Sequence, residues 1–120
     1  MSYTAVCNLS DVFRAIGAMA GAHISGAQCA NQPPEHPVAF WGTHGTEDPA
    51  LPMSYAIPVR DAFVAKNGCS SETHPVDPSP CVACDDCDEG YLVVWCERPG
   101  DGHSIPSFAA EAIAEFFEQF

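Results

Sequence analysis

Three short apolar runs, each nearly unbroken, set the strongest limit on what this chain can fold into. They are Val12-Phe13-Arg14-Ala15-Ile16-Gly17-Ala18-Met19-Ala20, Val38-Ala39-Phe40-Trp41-Gly42 and Tyr91-Leu92-Val93-Val94-Trp95-Cys96. Strands with one wet face alternate between apolar and polar residues, whereas continuous runs of this length suit strands covered on both faces. After the second run, a helical pattern from Pro58 to Asn67 puts Val59, Ala62 and Phe63 on one face and stops at Gly68. After the third, Ser107 can cap a helix reaching Phe120, with Phe108, Ala112, Ile113, Phe116 and Phe117 on one stripe and Glu111, Glu115 and Glu118 off it. Strand, strand, helix, strand, helix predicts an α/β domain with a parallel sheet and covering helices. The stretches from Ser25 to Pro37 and from Cys69 to Gly90 are rich in turn residues and read as loops. There is no internal repeat and no domain boundary, so residues 1–120 form one unit.

Charge removes several function classes. Sixteen acidic residues against four basic ones leave a formal charge of −12. No basic cluster exists to neutralise phosphates, which argues against nucleic acid as a partner and against an anionic membrane surface. Seven cysteines in 120 residues point to an oxidising compartment, and the odd count leaves at least one unpaired within the chain. The opening Met1-Ser2-Tyr3-Thr4-Ala5-Val6 has neither the basic n-region nor the apolar core of an export signal. A cysteine-rich chain without such a signal is expected to be missing its true N-terminus.

In open parallel sheets, reactive side chains lie on loops just beyond the carboxyl ends of strands. Two loops here satisfy that rule. The second apolar run leads into His44-Gly45-Thr46-Glu47-Asp48 and the third into Gly100-Asp101-Gly102-His103. An acid after one strand and a histidine after the next follow the acid-then-base order of an α/β-hydrolase triad, whose serine comes earlier in sequence. Alone, an acid before proline is a common turn residue and a histidine among glycines a common surface residue; the matched pair of loops decides for Asp48 and His103. Glu47 is the rival acid. None of the nine serines lies in a G-x-S-x-G elbow, so the nucleophile is absent. His23, His36, His44 and His74 read as structural or solvent-facing.

The residues around these loops resemble the fungal feruloyl esterases, secreted carbohydrate esterases related to polyhydroxybutyrate depolymerases. The likeness runs through Asp11-Val12-Phe13-Arg14-Ala15, His44-Gly45-Thr46-Glu47-Asp48, Leu51-Pro52, Arg60-Asp61-Ala62-Phe63 and Asn67-Gly68-Cys69. It continues through Tyr91-Leu92-Val93-Val94-Trp95-Cys96, Gly102-His103 and Ile105-Pro106-Ser107-Phe108-Ala109. It implies the C-terminal portion of an α/β-hydrolase fold with the N-terminal half missing, and a serine nucleophile a few residues before Met1. It also implies a secreted ester hydrolase with no cofactor, acting on phenolic esters such as ferulate linked to plant cell-wall xylan, with Asp48 as acid and His103 as base. This chain alone would then be inactive. The family usually has glycine where Asp101 stands; its carboxylate either raises the basicity of His103 or, as favoured here, points to water.

In the resembling proteins the cysteines of the Cys69–Cys96 region are disulfide partners. Disulfides among Cys69, Cys81, Cys87 and Cys96 are therefore expected in a pairing left open, with Cys84 as the odd thiol and Cys7 with Cys29 a further option. The competing reading is structural zinc on Cys81-Val82-Ala83-Cys84-Asp85-Asp86-Cys87, where two C-x-x-C spacings overlap and Cys69 or Cys96 completes four ligands. Two alternatives to a feruloyl esterase stand beside it. One is a polyester depolymerase or acetylxylan esterase using the same triad. The other is a non-catalytic remnant built around the cysteine-rich loop.

Overall fold

A computed structural model describes residues 2–22 and 34–120. His23 and Cys29 lie outside the described residues, and with them the Cys7–Cys29 option and most of the turn-rich stretch from Ser25 to Pro37.

The described chain forms a mixed α/β sandwich. Its elements are α1 (Ser2–Leu9), β1 (Ala15–Met19), β2 (Ala39–Gly45), α2 (Met53–Lys66), β3 (Thr73–Pro75), β4 (Cys81–Cys84), β5 (Val93–Arg98) and α3 (Ala109–Phe117). They make a five-stranded sheet in the order β1-β2-β5-β4-β3. The three apolar runs supply β1, β2 and β5, which pair in parallel.

The prediction of a purely parallel sheet is wrong at one side, where β4 runs antiparallel to β5 and β3 antiparallel to β4. Both strands fall in the Cys69–Gly90 stretch expected to be loop. They are only three and four residues long, and β3 is an edge strand whose Pro75 is tolerated because it has an unpaired side. Pairing of β4 with β5, and of β3 with β4, rather than any local preference, makes these residues strands.

Each face of the sheet carries one core. On the first, α1 and α2 pack Tyr3, Val6, Ala56, Val59 and Phe63 against Ile16, Phe40, Val93 and Trp95. On the second, α3 packs Ala109, Ala112 and Phe116 against Ala39, Trp41, Val94 and Cys96. All seven residues of β2 are buried, as expected for a central strand covered from both sides.

Element boundaries moved for identifiable reasons. The first run begins to pair only at Ala15, because Val12 and Phe13 turn back onto the Leu9 carbonyl and stay exposed. Helix α2 begins at Met53 rather than Pro58, so Pro58 lies inside it. Its N–H is missing from the first turns, but that turn also buries Ala56 against the sheet, and this packing outweighs one absent hydrogen bond. Ser107 does not cap α3; Phe108 occupies that place without a side-chain cap. Phe117, placed on the core stripe by its spacing, is 44% exposed, and Phe116 alone of that pair is buried.

Buried Asn67 ties α2 to the sheet. It follows the helix, donates through Nδ2 to the carbonyls of Val38 and Tyr91 at 2.8 Å each, and accepts from the Val38 N–H. The two segments it joins lead into β2 and β5, so one side chain sets the level at which both strands start. Gly68 follows with φ of +68°, the left-handed turn that commonly ends a helix.

Candidate active site

Strands β2 and β5 end together. Their parallel register sets Thr43 opposite Cys96, His44 opposite Glu97 and Gly45 opposite Arg98, so the loops that follow leave the sheet at the same edge. Those loops are cross-linked by backbone: Thr46 N–H donates to the Arg98 carbonyl at 3.1 Å and Glu47 N–H to the Asp101 carbonyl at 2.9 Å. Gly100 N–H donates to Thr46 Oγ1 at 2.9 Å. The loops approach so closely at Gly45 that a Cβ there would lie 2.2 Å from the Asp101 carbonyl oxygen and 2.4 Å from that of Gly102. Only glycine fits.

This contact brings together the two residues singled out in the sequence. His103 Nδ1 lies 2.7 Å from Asp48 Oδ2. Asp48 has a fully buried side chain, while the His103 side chain is 47% exposed. The second carboxylate oxygen accepts the N–H groups of Ala50 and Leu51 at 2.9 Å each. Burial pushes the Asp48 carboxyl up, but the Leu51 N–H, the His103 side chain and the Ala50 N–H together overcome it and hold the group below its ordinary range. An ionised carboxylate can only accept, so the shared proton belongs to His103 Nδ1. That leaves Nε2 of this half-exposed side chain with no hydrogen-bond partner among the described residues. An imidazole so held can take a proton from a group brought to Nε2, and the buried carboxylate stabilises the resulting cation. Glu47, the rival acid, is exposed on the same turn, whereas the Asp48 side chain is buried.

Arg98 fixes the histidine loop and was not foreseen. It is 4% exposed. Its Nε donates to Thr43 Oγ1 at 3.2 Å, and its two terminal nitrogens reach Asp101 Oδ2, Ser104 Oγ and the Ser104 carbonyl. The residues on both sides of His103 thus hang from one buried guanidinium. Asp101 is not aimed at His103, as expected; its exposed carboxylate pairs with Arg98 at the edge of the loop, a partner that was not expected. The available signal was an arginine closing an apolar strand just before Pro99-Gly100, where a cation would otherwise be stranded at the rim of the core.

The other histidines separate. His36 and His74 are exposed, and His74 pairs with Asp85. His44 is wholly buried and touches the site: its Nε2 lies 2.6 Å from the Leu51 carbonyl and 3.5 Å from Asp48 Oδ2. The reading of it as solvent-facing fails, and the structural one holds.

The cysteine-rich stretch is settled by two disulfides, Cys69–Cys87 and Cys81–Cys96. Zinc would need these sulfurs as thiolates, whereas four of the five are joined in these bonds. Cys84 is the odd thiol, buried, with burial pushing its pKa up. Cys81 and Cys96 are direct partners across β4 and β5, so that bond fastens the hairpin to the strand that leads to His103.

No family model matches the chain. Comparison with curated proteins finds feruloyl esterase D of Neurospora crassa, 33% identical across the whole of this chain and 44% of that protein. A probable feruloyl esterase C of Aspergillus terreus is 39% identical over 59% of the chain and 25% of its own length. Feruloyl esterase C of Emericella nidulans is 38% identical over 58% of the chain and 24% of its own length. The chain therefore spans less than half the length of the relatives it matches. By sequence it is a homologue of the fungal feruloyl esterases.

Proposed function

We propose that residues 1–120 are the acid- and base-bearing, C-terminal portion of a secreted serine ester hydrolase of the α/β-hydrolase fold, acting on feruloyl esters of plant cell-wall polysaccharide. The single observation that carries this is the 2.7 Å hydrogen bond between Asp48 and His103, made by loops from the carboxyl ends of adjacent parallel strands, in the acid-then-base order. The relatives' names supply the substrate class, and the two disulfides favour an oxidising destination.

The chemistry is acyl transfer in two steps. A serine hydroxyl brought to His103 Nε2 loses its proton to the imidazole as its oxygen attacks the ester carbonyl, and His103 returns the proton to the departing alcohol. Water then attacks the acyl-enzyme with His103 again as base, releasing the phenolic acid and regenerating serine. Asp48 holds the imidazole in the tautomer with Nδ1–H and stabilises its cation. The hydroxyl must come from outside the described residues: none of their serines is bonded to His103 Nε2, and the Oγ of adjacent Ser104 serves Arg98. The outer edge of β1 carries no strand among the described residues. There a segment with a G-x-S-x-G elbow would extend the parallel sheet.

The test is hydrolysis of methyl ferulate by a polypeptide that carries such an elbow upstream of and in frame with residues 1–120. Ferulate release is expected, falling by up to about 10⁴-fold in kcat for Asp48→Asn. Wild-type turnover in that variant would overturn the assignment. Hydrolysis of acetylated xylan or polyhydroxybutyrate in place of methyl ferulate would retain the triad and overturn the substrate class.

A further inference from the structure

His44 is a fully buried imidazole that the acyl-transfer chemistry does not use. It stands on β2, four residues before Asp48, with its ring nearly parallel to Trp95 at 6.4 Å and 12°. Trp95 in turn lies over Gly42, where a Cβ would come within 2.8 Å of the indole. The ring is therefore held by the core. The turn ahead of it is not, since Pro49, Ala50 and Pro52 are exposed. Asp48 heads that exposed turn, yet its carboxylate must meet His103 in one orientation.

The contacts of His44 resolve this. Nε2 is 2.6 Å from the Leu51 carbonyl, which can only accept, so Nε2 carries the proton. Nδ1 is buried with no hydrogen-bond partner among the described residues; a proton there would be stranded while the Nε2 lone pair faced the carbonyl lone pair. Leu51 returns its own N–H to Asp48 Oδ1 at 2.9 Å, and Asp48 Oδ2 sits 3.5 Å from His44 Nε2. A closed ring of His44, Leu51 and Asp48 thus links the carboxylate to the core.

We propose that His44 is a positioning residue, donating from Nε2 to the Leu51 carbonyl and so orienting the Asp48 carboxylate toward His103. This rests on the reading of Asp48 and His103 as acid and base. Removing the donor frees the turn at Leu51 and lets the carboxylate swing between solvent and His103. Keeping a donor of similar reach preserves the geometry.

Imidazole nitrogen NMR on the chain tests this without any turnover. In the unsubstituted protein His44 is expected as the Nε2–H tautomer, and the Nδ1–H tautomer would overturn the proposal even if no variant folds. His44→Phe, which fills the slot beside Trp95 without a donor, is expected to lose the slowly exchanging Nδ1–H proton signal of His103, and His44→Gln to retain it. A folded His44→Phe protein with that signal intact would also overturn the proposal. If instead the unsubstituted protein shows His44 as expected but His103 without an Nδ1–H bonded to Asp48, the acid–base assignment fails and the His44 geometry stands.

Discussion

Replacing Gly45 by alanine tests whether the two site loops are held together at one backbone contact. The new methyl would meet carbonyl oxygens of Asp101 and Gly102, which belong to backbone and cannot rotate aside. Raising the closest contact from 2.2 Å to the 3.0 Å that real Cβ atoms respect parts the loops by at least about 0.8 Å. The 2.9 Å bond from Glu47 N–H to the Asp101 carbonyl lies beside the intruding methyl and is lost or badly stretched. Overpacking costs about 1–3 kcal/mol and the backbone bond about 1 kcal/mol, which together give about 3 kcal/mol of destabilisation. For a domain of this size that lowers Tm by roughly 10–15 °C. Circular dichroism melts of wild type and Gly45→Ala measure it, and the His103 Nδ1–H proton signal reports whether the bond to Asp48 survives. In an active, serine-bearing polypeptide, a displacement of this size costs on the order of 10²-fold in rate. A Gly45→Ala protein melting within about 2 °C of wild type, with the His103 signal unchanged, would refute the claim that this approach sets the site.

Other expectations are simpler to check. Because the Asp48 carboxyl is held below the ordinary carboxylate range, its contribution to stability is full above that ordinary range and disappears as pH falls through the lowered native value; Asp48→Asn should flatten that part of an acid-unfolding series, and an unchanged acid limb would contradict it. Loss of the Cys81–Cys96 bond, which closes 15 residues, in a Cys81→Ala/Cys96→Ala protein should lower unfolding free energy by about 3 kcal/mol in a urea titration. Asn67→Leu leaves the Val38 and Tyr91 carbonyls and the Val38 N–H without their side-chain partner; a loss of about 3 kcal/mol is expected by the same titration.

What could be read from the residues was whatever depends on burial. The three strands that pair in parallel announce themselves as continuous apolar runs, and the loops after two of them carry Asp48 and His103 at the matching edge. The β3–β4 hairpin was not legible, because Thr73-His74-Pro75 and Cys81-Val82-Ala83-Cys84 are too short and too weakly β-forming to declare themselves. They become strands because β4 lies against β5 and β3 against β4. Pro58 misled in the opposite direction: it is a normal first residue of a helix, and only the burial of Ala56 reveals the extra turn before it. The partners of Arg98 and of His44 were not legible for a common reason. Each acts by what it touches across the sheet or along a turn, and a single residue letter does not disclose its contacts.

Asp48 and His103 stand 55 positions apart and meet only because β2 and β5 lie side by side with a helix and a hairpin interposed between them in the chain. Nothing local assembles the pair. It forms once a long loop has closed and the parallel register has locked, a step of high contact order that belongs to the slow end of folding. The histidine–aspartate bond is consequently a late reporter of native structure: its appearance during refolding should trail helix formation, and a partly folded chain would keep its helices while having no site at all.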